Sequence, residues 1–329
     1  MMSQLATAPA APVAATTGVA PRYLLVSPCR DEAQFCRRTL ESVVAQTLRP
    51  SLWVIVDDGS TDATPAILAE YAQRHPWIRV LRRPDRGRRS VGPGVVDAFA
   101  AGYDAVDARD FEFVCKLDLD LELPPAYFAT LLARMQQQPR IGTCSGKPYY
   151  PGRHGELVSE AIGDEMSAGM TKLYRRQCFE AIGGFVHEVM WDGIDCHRCR
   201  MLGWIACSWD EPALRFVHLR AMGSSDHGVW TGRKRHGRGQ WFIGTGPLYM
   251  LVSAAYRAAH RPFVIGGLGM LAGYLSSMFA ARPRYADAAF RRHLRRYQLA
   301  CLLLGKRRAT ERLHRQIRSS SHGADRDRE

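Results

Sequence analysis

The stretch KLDLDLELPP, residues 116–125, places a row of alternating carboxylates after an apolar run. Successive side chains of a β-strand point to opposite faces, so Asp118, Asp120 and Glu122 are expected on one face and the leucines between them on the other. Carboxylates this close raise one another's pKa and reduce stability. The pattern therefore predicts a strand end that needs a positive partner.

Short apolar runs alternate with helix-like segments on both sides of this stretch. The runs are YLLVS (23–27), WVIVDD (53–58), IRVLRR (78–83) and FEFVCKLD (111–118). Such alternation predicts an α/β fold, with a Rossmann-like, mostly parallel sheet covered by helices on both faces. Ligands bind beyond the carboxyl ends of the strands in sheets of this kind, and Pro28, the pair Asp57-Asp58, and Asp118 with Asp120 are all expected there.

Composition limits the possible partners. The chain has 329 residues, 46% of them hydrophobic, and a formal charge of +13, which predicts attraction to phosphates, nucleic acid or an anionic membrane surface. The aromatic platforms of single-stranded nucleic-acid binders are not apparent, so no nucleic acid is expected. Nine cysteines without a framework-like spacing favour reduced thiols and a cytoplasmic location. Residues 1–20, rich in Ala, Thr and Pro, are expected to form a disordered tail.

The pair Asp118 and Asp120 is the first candidate site. Two hard oxygen ligands at a strand end suit Mn²⁺ or Mg²⁺, which keep coordination positions open for substrate phosphates. A solvated acidic loop is the simpler interpretation of a D-x-D motif, but the position after an apolar strand favours the metal.

Two further motifs surround the same predicted sheet edge. In VDDGSTD (56–62), a turn with a helix cap explains the Gly, Ser and Thr but not the doubled aspartate, which could accept a hydrogen bond from a uracil-like base. In RPDRGRRSVGPG (83–94), arginines such as Arg88 and Arg89 lie among glycines that let the backbone approach a diphosphate. A solvated basic loop fits this second motif equally well.

The ordered motifs P-x-R-D-E, V-D-D-G-S-T-D, K-L-D-L-D, Y-R-R-x-C-F-x-x-I-G-G-F and W-D-G-I-D-x-x-R-x-R-M-L-G-W resemble those of a family 2 glycosyltransferase with the GT-A fold, over roughly residues 21–220. The resemblance implies that Asp120 holds a divalent cation on the diphosphate, with Asp118 nearby. The residues that it implies for nucleotide-sugar binding are Pro28, Arg30, Glu32, Asp57, Asp58, Arg88, Arg89, Lys116 and Asp118.

The resemblance also implies a catalytic base. Relatives usually carry Glu-Asp after the G-G-F turn, whereas this chain has Trp191 followed by Asp192, and a further carboxylate at Asp195. Aligning the end of the motif places Asp192 on the family aspartate, while Asp195 is more simply explained as an N-cap or first-turn residue of a helix. His218 resembles a late family histidine near the metal, and a structural histidine is the alternative.

The C-terminal part has a different composition. The predicted division is a catalytic domain at 21–235, a hydrophobic helical region at 236–300 and a basic tail at 301–329. One span at 262–281 would send the basic tail outside, against the positive-inside rule, and the uncharged stretch 241–256 is short for a crossing. Interfacial or re-entrant helices on the cytoplasmic face of an anionic membrane are expected, with an ordinary buried helix pair as the alternative.

Together these patterns predict a metal-dependent, inverting, hexosyltransferase-like enzyme of polysaccharide or glycoconjugate biosynthesis. It would move a sugar from a nucleotide-diphosphate sugar to a hydroxyl of a glycan or lipid-linked acceptor. A sugar-phosphate nucleotidyltransferase is an alternative, but it would need a glycine-rich phosphate loop where this chain has SPCRDE. A non-catalytic basic module that binds lipid or nucleic acid would leave the strand-end aspartates unexplained.

Overall fold

A computed structural model describes residues 20–87, 92–152, 155–220, 228–260 and 263–315. Its strands are β1 (Tyr23–Cys29), β2 (Leu52–Asp57), β3 (Ile78–Arg82), β4 (Phe113–Leu117), β5 (Leu121–Glu122), β6 (Ile141–Ser145), β7 (Lys147–Pro151), β8 (Leu157–Ser159), β9 (Thr171–Arg175), β10 (Ile205–Ser208) and β11 (Arg215–His218). Its helices are α1 (Cys36–Val44), α2 (Thr64–Arg74), α3 (Pro93–Asp104), α4 (Tyr127–Gln137), α5 (Arg176–Ala181), α6 (Trp191–Met201), α7 (Gly228–Ile243), α8 (Pro247–Ala258), α9 (Ile265–Phe279) and α10 (Ala288–Leu304).

The main sheet has seven strands in the order β10-β6-β9-β4-β1-β2-β3. Strands β4, β1, β2 and β3 are parallel, and β9 runs antiparallel to both β4 and β6. One core packs α1, α2 and α4 on one face, and a second core packs α3 and α5 on the other. The predicted α/β fold, with a mostly parallel sheet between two helical layers, is confirmed.

The opening stretch does not form one strand, and this corrects the expectation that its three carboxylates share a face. Strand β4 ends at Leu117, and the chain then crosses into a second sheet of order β5-β11-β7-β8. The four leucines between residues 117 and 123 are all buried as expected. The crossing separates Glu122 from the two aspartates, and Glu122 pairs with Arg38 of α1.

Helices α7 to α10 form a layer that packs beside α6, and glycines allow α7 and α9 to touch through their backbones. A Cβ added at Gly273 would lie 2.0 Å from the carbonyl oxygen of Lys234, and one at Gly237 would lie 1.9 Å from that of Met270. Helix α7 begins at Gly228, inside the range predicted for the catalytic domain. Within the described residues, none of the helices has both the length and the apolarity needed to cross a bilayer.

The α7–α9 contact should be sensitive to a single methyl group. We expect Gly273→Ala to lower the free energy of unfolding by about 1 to 3 kcal/mol, because the added Cβ would have to displace backbone. Gly193→Ala in α6 is the control, since the nearest atom to its added Cβ is 4.0 Å away. Urea denaturation of both variants makes the comparison, and equal losses would contradict the tight packing.

Candidate functional site

The loops that follow β1 and β2 are joined by hydrogen bonds. The backbone N–H of Asp31 donates to Ser60 Oγ at 2.9 Å, and that of Glu32 donates to Thr64 Oγ1 at 2.8 Å. The N–H of Thr61 donates in return to Asp31 Oδ1 at 2.8 Å. The predicted nucleotide-binding residues of these two loops are therefore held together at one sheet edge. Pro28 lies within β1 and is buried there.

Arginines converge on the second aspartate of the doubled pair. Asp58 pairs with Arg83 at 2.9 Å and with Arg86, and its backbone carbonyl accepts a hydrogen bond from Arg30 at 3.0 Å. Asp57 is buried and accepts from the N–H of Ser60 at 2.8 Å. The basic loop thus meets the doubled aspartate through its first arginines, while the predicted Arg88 and Arg89 lie outside the described residues.

A cavity of about 490 Å³ opens beside this arginine cluster, lined by residues 59–61 and 82–85. Gly59 adopts a φ of 79°, and a Cβ there would lie 2.5 Å from the Cα of Asp85. The turn after β2 therefore requires glycine for two reasons, its left-handed backbone and the close approach of the basic loop.

Asp118 already has a positive partner in the protein. Lys116 is 2% exposed, and its Nζ donates to Asp118 Oδ1 at 2.5 Å and to the carbonyl of Gly169 at 2.9 Å. Burial raises the pKa of Asp118, Lys116 lowers it, and the charge of Asp120 raises it further. Lys116 was predicted to bind the nucleotide sugar. In the structure it is buried and forms an ion pair with Asp118.

Asp120 faces two basic side chains, His218 at the end of β11 and Arg220 two residues further on. Its Oδ2 lies 3.7 Å from His218 Nε2 and 3.5 Å from Arg220 Nε. Burial alone would raise the pKa of Asp120, but the close approach of His218 and the charge of Arg220 lower it overall.

Two glutamates complete this network. His218 Nδ1 lies 3.0 Å from a carboxylate oxygen of Glu160, and Arg220 pairs with Glu32. Burial lowers the pKa of His218, but its contacts with the carboxylates of Asp120 and Glu160 raise it to about 9. The predicted role of His218 as a metal ligand stays a prediction.

One atom of this network fits a divalent cation. Asp120 Oδ1 is buried and has no hydrogen-bond partner among the described residues. Within the same residues, no group of three His, Cys, Asp or Glu side chains is arranged to hold a metal ion. Asp118 and Asp120 therefore suit a cation such as Mn²⁺ or Mg²⁺ that takes its remaining ligands from phosphates and water.

Asp192 lies in the first turn of α6, where the helix dipole favours a carboxylate. Its side chain is half-buried and packs against Gly169, where an added Cβ would lie 2.6 Å from Asp192 Oδ2. His236 of α7 is near enough for Asp192 to act on its pKa, which burial and the charges of Arg257 and Arg233 lower to about 4. A neutral imidazole thus lies near the candidate base.

Asp195 has a different environment. It is 1% exposed, receives two hydrogen bonds from Lys172 Nζ at 2.7 and 2.6 Å, and accepts another from Tyr174. The expectation that Asp195 caps a helix or lies in its first turn is wrong, because α6 begins at Trp191 and Asp195 is its fifth residue. Its carboxylate is engaged in a buried ion pair with Lys172. Asp192 is therefore the remaining candidate base.

Sequence reasoning missed several residues of the site, namely Glu160, Lys172, Arg220 and His236. Lys172 lies directly opposite Lys116 across β4 and β9, which becomes visible only when the two strands are paired. Arg220 could have been suspected, because it follows His218 by two residues and so continues the alternation of β11.

Removing the Asp195 carboxylate should reveal a structural role. We expect Asp195→Asn to reduce the free energy of unfolding by about 3 to 5 kcal/mol, because it leaves the buried Lys172 ammonium without its charged partner. Asp107→Asn, which breaks an exposed pair with Arg109, is the matched control and should change stability little. Urea titration measures both, and a stable Asp195→Asn variant would contradict the assignment.

The site thus combines carboxylates and arginines at strand ends of an α/β domain, which is the sheet edge where ligands bind in such folds. Residues 25–189 match the model for glycosyl transferase family 2, which is half of the chain. The chain therefore belongs to glycosyl transferase family 2 and is a transferase.

Curated relatives are similar over part of their length. The beta-monoglucosyldiacylglycerol synthase of Synechocystis sp. is 28% identical over 158 residues, which are 45% of this chain and 33% of the relative. The putative glycosyltransferase EpsH of Bacillus subtilis is 26% identical over 45% of each protein. The chain thus spans less than half the length of these relatives.

Solved structures share the fold. A mannosyltransferase from Pyrobaculum calidifontis, in complex with GDP-Man and Mn²⁺, superimposes with a TM-score of 0.53 at 16% identity and covers 79% of this chain and 88% of its own. GalNAc-T7 with UDP, GalNAc and Mn²⁺ gives a TM-score of 0.52 at 15% identity, over 80% of this chain and 55% of its own. Both likenesses agree with the GT-A expectation for the fold.

Proposed function

We propose that this protein is a metal-dependent, inverting glycosyltransferase that transfers a sugar from a nucleotide-diphosphate sugar to a hydroxyl of a glycan or lipid-linked acceptor, in polysaccharide or glycoconjugate biosynthesis. The observation that carries the proposal is the position of Gly169. Its carbonyl binds Lys116, which holds Asp118, and its Cα packs against the carboxylate of Asp192. A candidate metal carboxylate and a candidate base therefore lie on two sides of one residue.

The donor side of the proposal rests on charge. Asp118 and Asp120 would hold the cation, which when bound neutralises the diphosphate as it leaves. Arg83 and Arg86 line the same sheet edge and offer guanidinium groups that suit phosphate oxygens. The neighbouring folds with GDP-Man or UDP and Mn²⁺ support a donor of this class.

The acceptor side rests on Asp192. A sugar hydroxyl is a poor nucleophile until its proton leaves, and a half-buried carboxylate in the first turn of a helix can accept that proton. Direct attack by the hydroxyl on the anomeric carbon inverts its configuration. Asp195 is too fully engaged with Lys172 and Tyr174 to serve this role.

The nucleotidyltransferase alternative finds little support in the same geometry. The loop after β1 is held by side chains of the next loop, such as Ser60 and Thr64, and it is not a glycine-rich phosphate cradle. The family match also favours glycosyl transfer.

Transfer measured with a panel of nucleotide sugars, with and without Mn²⁺, tests the proposal. We expect Asp120→Ala to abolish metal-dependent transfer, and Asp192→Asn to reduce kcat at least about a thousandfold while nucleotide binding by calorimetry stays intact. Asp107→Asn, which breaks an exposed ion pair with Arg109, is the control and should retain most activity. Unchanged transfer in Asp120→Ala would refute the metal assignment.

We also propose that the C-terminal layer docks on an anionic membrane surface at the cytoplasmic face. Apolar side chains of α8 and of the beginning of α9 point outward, with Tyr256 63% and Leu248 60% exposed. Helix α9 packs on α8 through Gly267, so these side chains flank one helix contact. The members of this apolar surface are Leu248, Leu251, Val252, Tyr256, Phe263, Val264, Ile265 and Leu268.

Charge favours a lipid surface as the occupant. Residues 227–286 contain eight Arg or Lys and no Asp or Glu. Arg257 lies on α8 itself, and its charge lowers the pKa of Arg233 on α7, as burial also does. An apolar surface within a basic stretch that contains no acidic residue suits anionic headgroups and the acyl boundary below them.

Vesicle sedimentation tests the docking surface. Wild-type protein should bind vesicles of phosphatidylcholine with phosphatidylglycerol, and Leu251→Ser with Tyr256→Ser should weaken binding about tenfold through lost apolar burial. Leu157→Ser, at a side chain that is 52% exposed on β8, is the control. Equal vesicle binding by all variants would contradict the proposal. A change of oligomeric state in the double variant, instead of a loss of vesicle binding, would contradict it too.

A further inference from the structure

Two lysines on neighbouring strands face each other inside the protein. Lys116 of β4 and Lys172 of β9 are directly opposite in the antiparallel register. They are 2% and 0% exposed. Like charges in opposite cross-strand positions destabilise a sheet, and burial makes the repulsion stronger. Something must hold this pair of ammonium groups.

Each lysine has a carboxylate of its own, and one aromatic ring serves both. Lys116 binds Asp118, and Lys172 binds Asp195. The ring of Trp191 lies 5.3 Å from Lys116 Nζ and 5.6 Å from Lys172 Nζ. The electron-rich face of an indole attracts cations, so the ring stabilises both charges at once.

We propose that Trp191 is a positioning residue, which fixes the candidate base relative to the candidate metal carboxylate by packing over the Lys116–Lys172 pair. The inference rests on the proposed function and deepens it. Trp191 makes no direct contribution to the reaction. It acts through the two lysines and through Asp192, the residue that follows it.

The contacts form a continuous connection. Lys116 holds the side chain of Asp118 at 2.5 Å, and Lys172 donates to the backbone carbonyl of Asp192 at 2.7 Å. Trp191 lies between these two anchors, and Phe185 packs on it with ring centroids 4.4 Å apart. A shift of the indole would therefore move the first turn of α6 relative to the end of β4.

This arrangement makes a specific demand on residue 191. An ordinary core residue would need only volume, whereas this position needs an aromatic face toward two ammonium groups. Phenylalanine supplies such a face with less area, and leucine supplies none. A residue that only fills volume and a residue that offers an aromatic face to the ammonium groups therefore predict different orders of activity among the variants.

The test compares Trp191→Phe and Trp191→Leu in sugar transfer. We expect Trp191→Leu to reduce kcat about tenfold or more with the nucleotide Kd unchanged within about twofold, and Trp191→Phe to restore most of the rate. Trp77→Leu is the matched control, a half-buried tryptophan that stacks on Trp53 away from the lysines, and it should leave kcat unchanged. If Trp191→Leu is too unstable, Trp191→Met takes its place.

A second measurement needs no enzymatic activity. In a double-mutant cycle followed by urea denaturation, the drop in unfolding midpoint caused by Trp191→Leu should be smaller in a Lys116→Met background, because one cation has been removed. The cycle of Trp77→Leu with Lys116→Met should be additive. Additive behaviour at Trp191, or equal kcat in the Phe and Leu variants, would overturn the positioning role. Absence of wild-type transfer with every donor would refute the proposed function, and the cycle would still decide the inference.

Discussion

The strands have charged side chains that are buried in the interior and must be neutralised there. This requirement determines most of the arrangement of the site. Lys116 and Lys172 meet across β4 and β9, where neither can reach water. Leaving one of them unpaired would cost several kcal/mol, so Asp118, Asp195 and the ring of Trp191 have to lie where they do. The start of α6, and Asp192 with it, is consequently set by the charge pattern of the sheet.

The same constraint shapes the region around Asp120. His218 and Arg220 lie among Asp120, Glu160 and Glu32, so most of the buried charge is compensated within the protein. Asp120 Oδ1 is an exception, because it has no hydrogen-bond partner in the part of the chain that the structure describes. At Asp58, arginines pair with the carboxylate. Phosphate groups are the partners that most readily replace a carboxylate on a guanidinium group. Under the proposed function, both features suit a site that takes up a cation and an anion together.

The sequence predicted what depends on local pattern and missed what depends on pairing. The alternation of strands and helices, and the position of Asp57 and Asp58 at a strand end, follow from hydrophobic periodicity. The single strand expected over 116–122 was wrong, because a period of two cannot distinguish a strand from a crossing between two sheets. Asp195 was misplaced because α6 begins after Met190, which has a φ of 77° and carries no capping side chain. Lys172 needed the register of β9, which no local pattern reveals.

The C-terminal layer connects the two proposals physically. Helix α7 carries His236 near Asp192. It packs against α9 through Gly237 of α7 and Gly273 of α9. The apolar surface of α8 and α9 is on the outside of the same layer. Glycine contacts allow little adjustment between α7 and α9, since any added atom would meet backbone. For a lipid-linked acceptor, the proposed base and the proposed membrane surface would therefore lie at a fixed separation, so that docking the helices also presents the acceptor hydroxyl to Asp192.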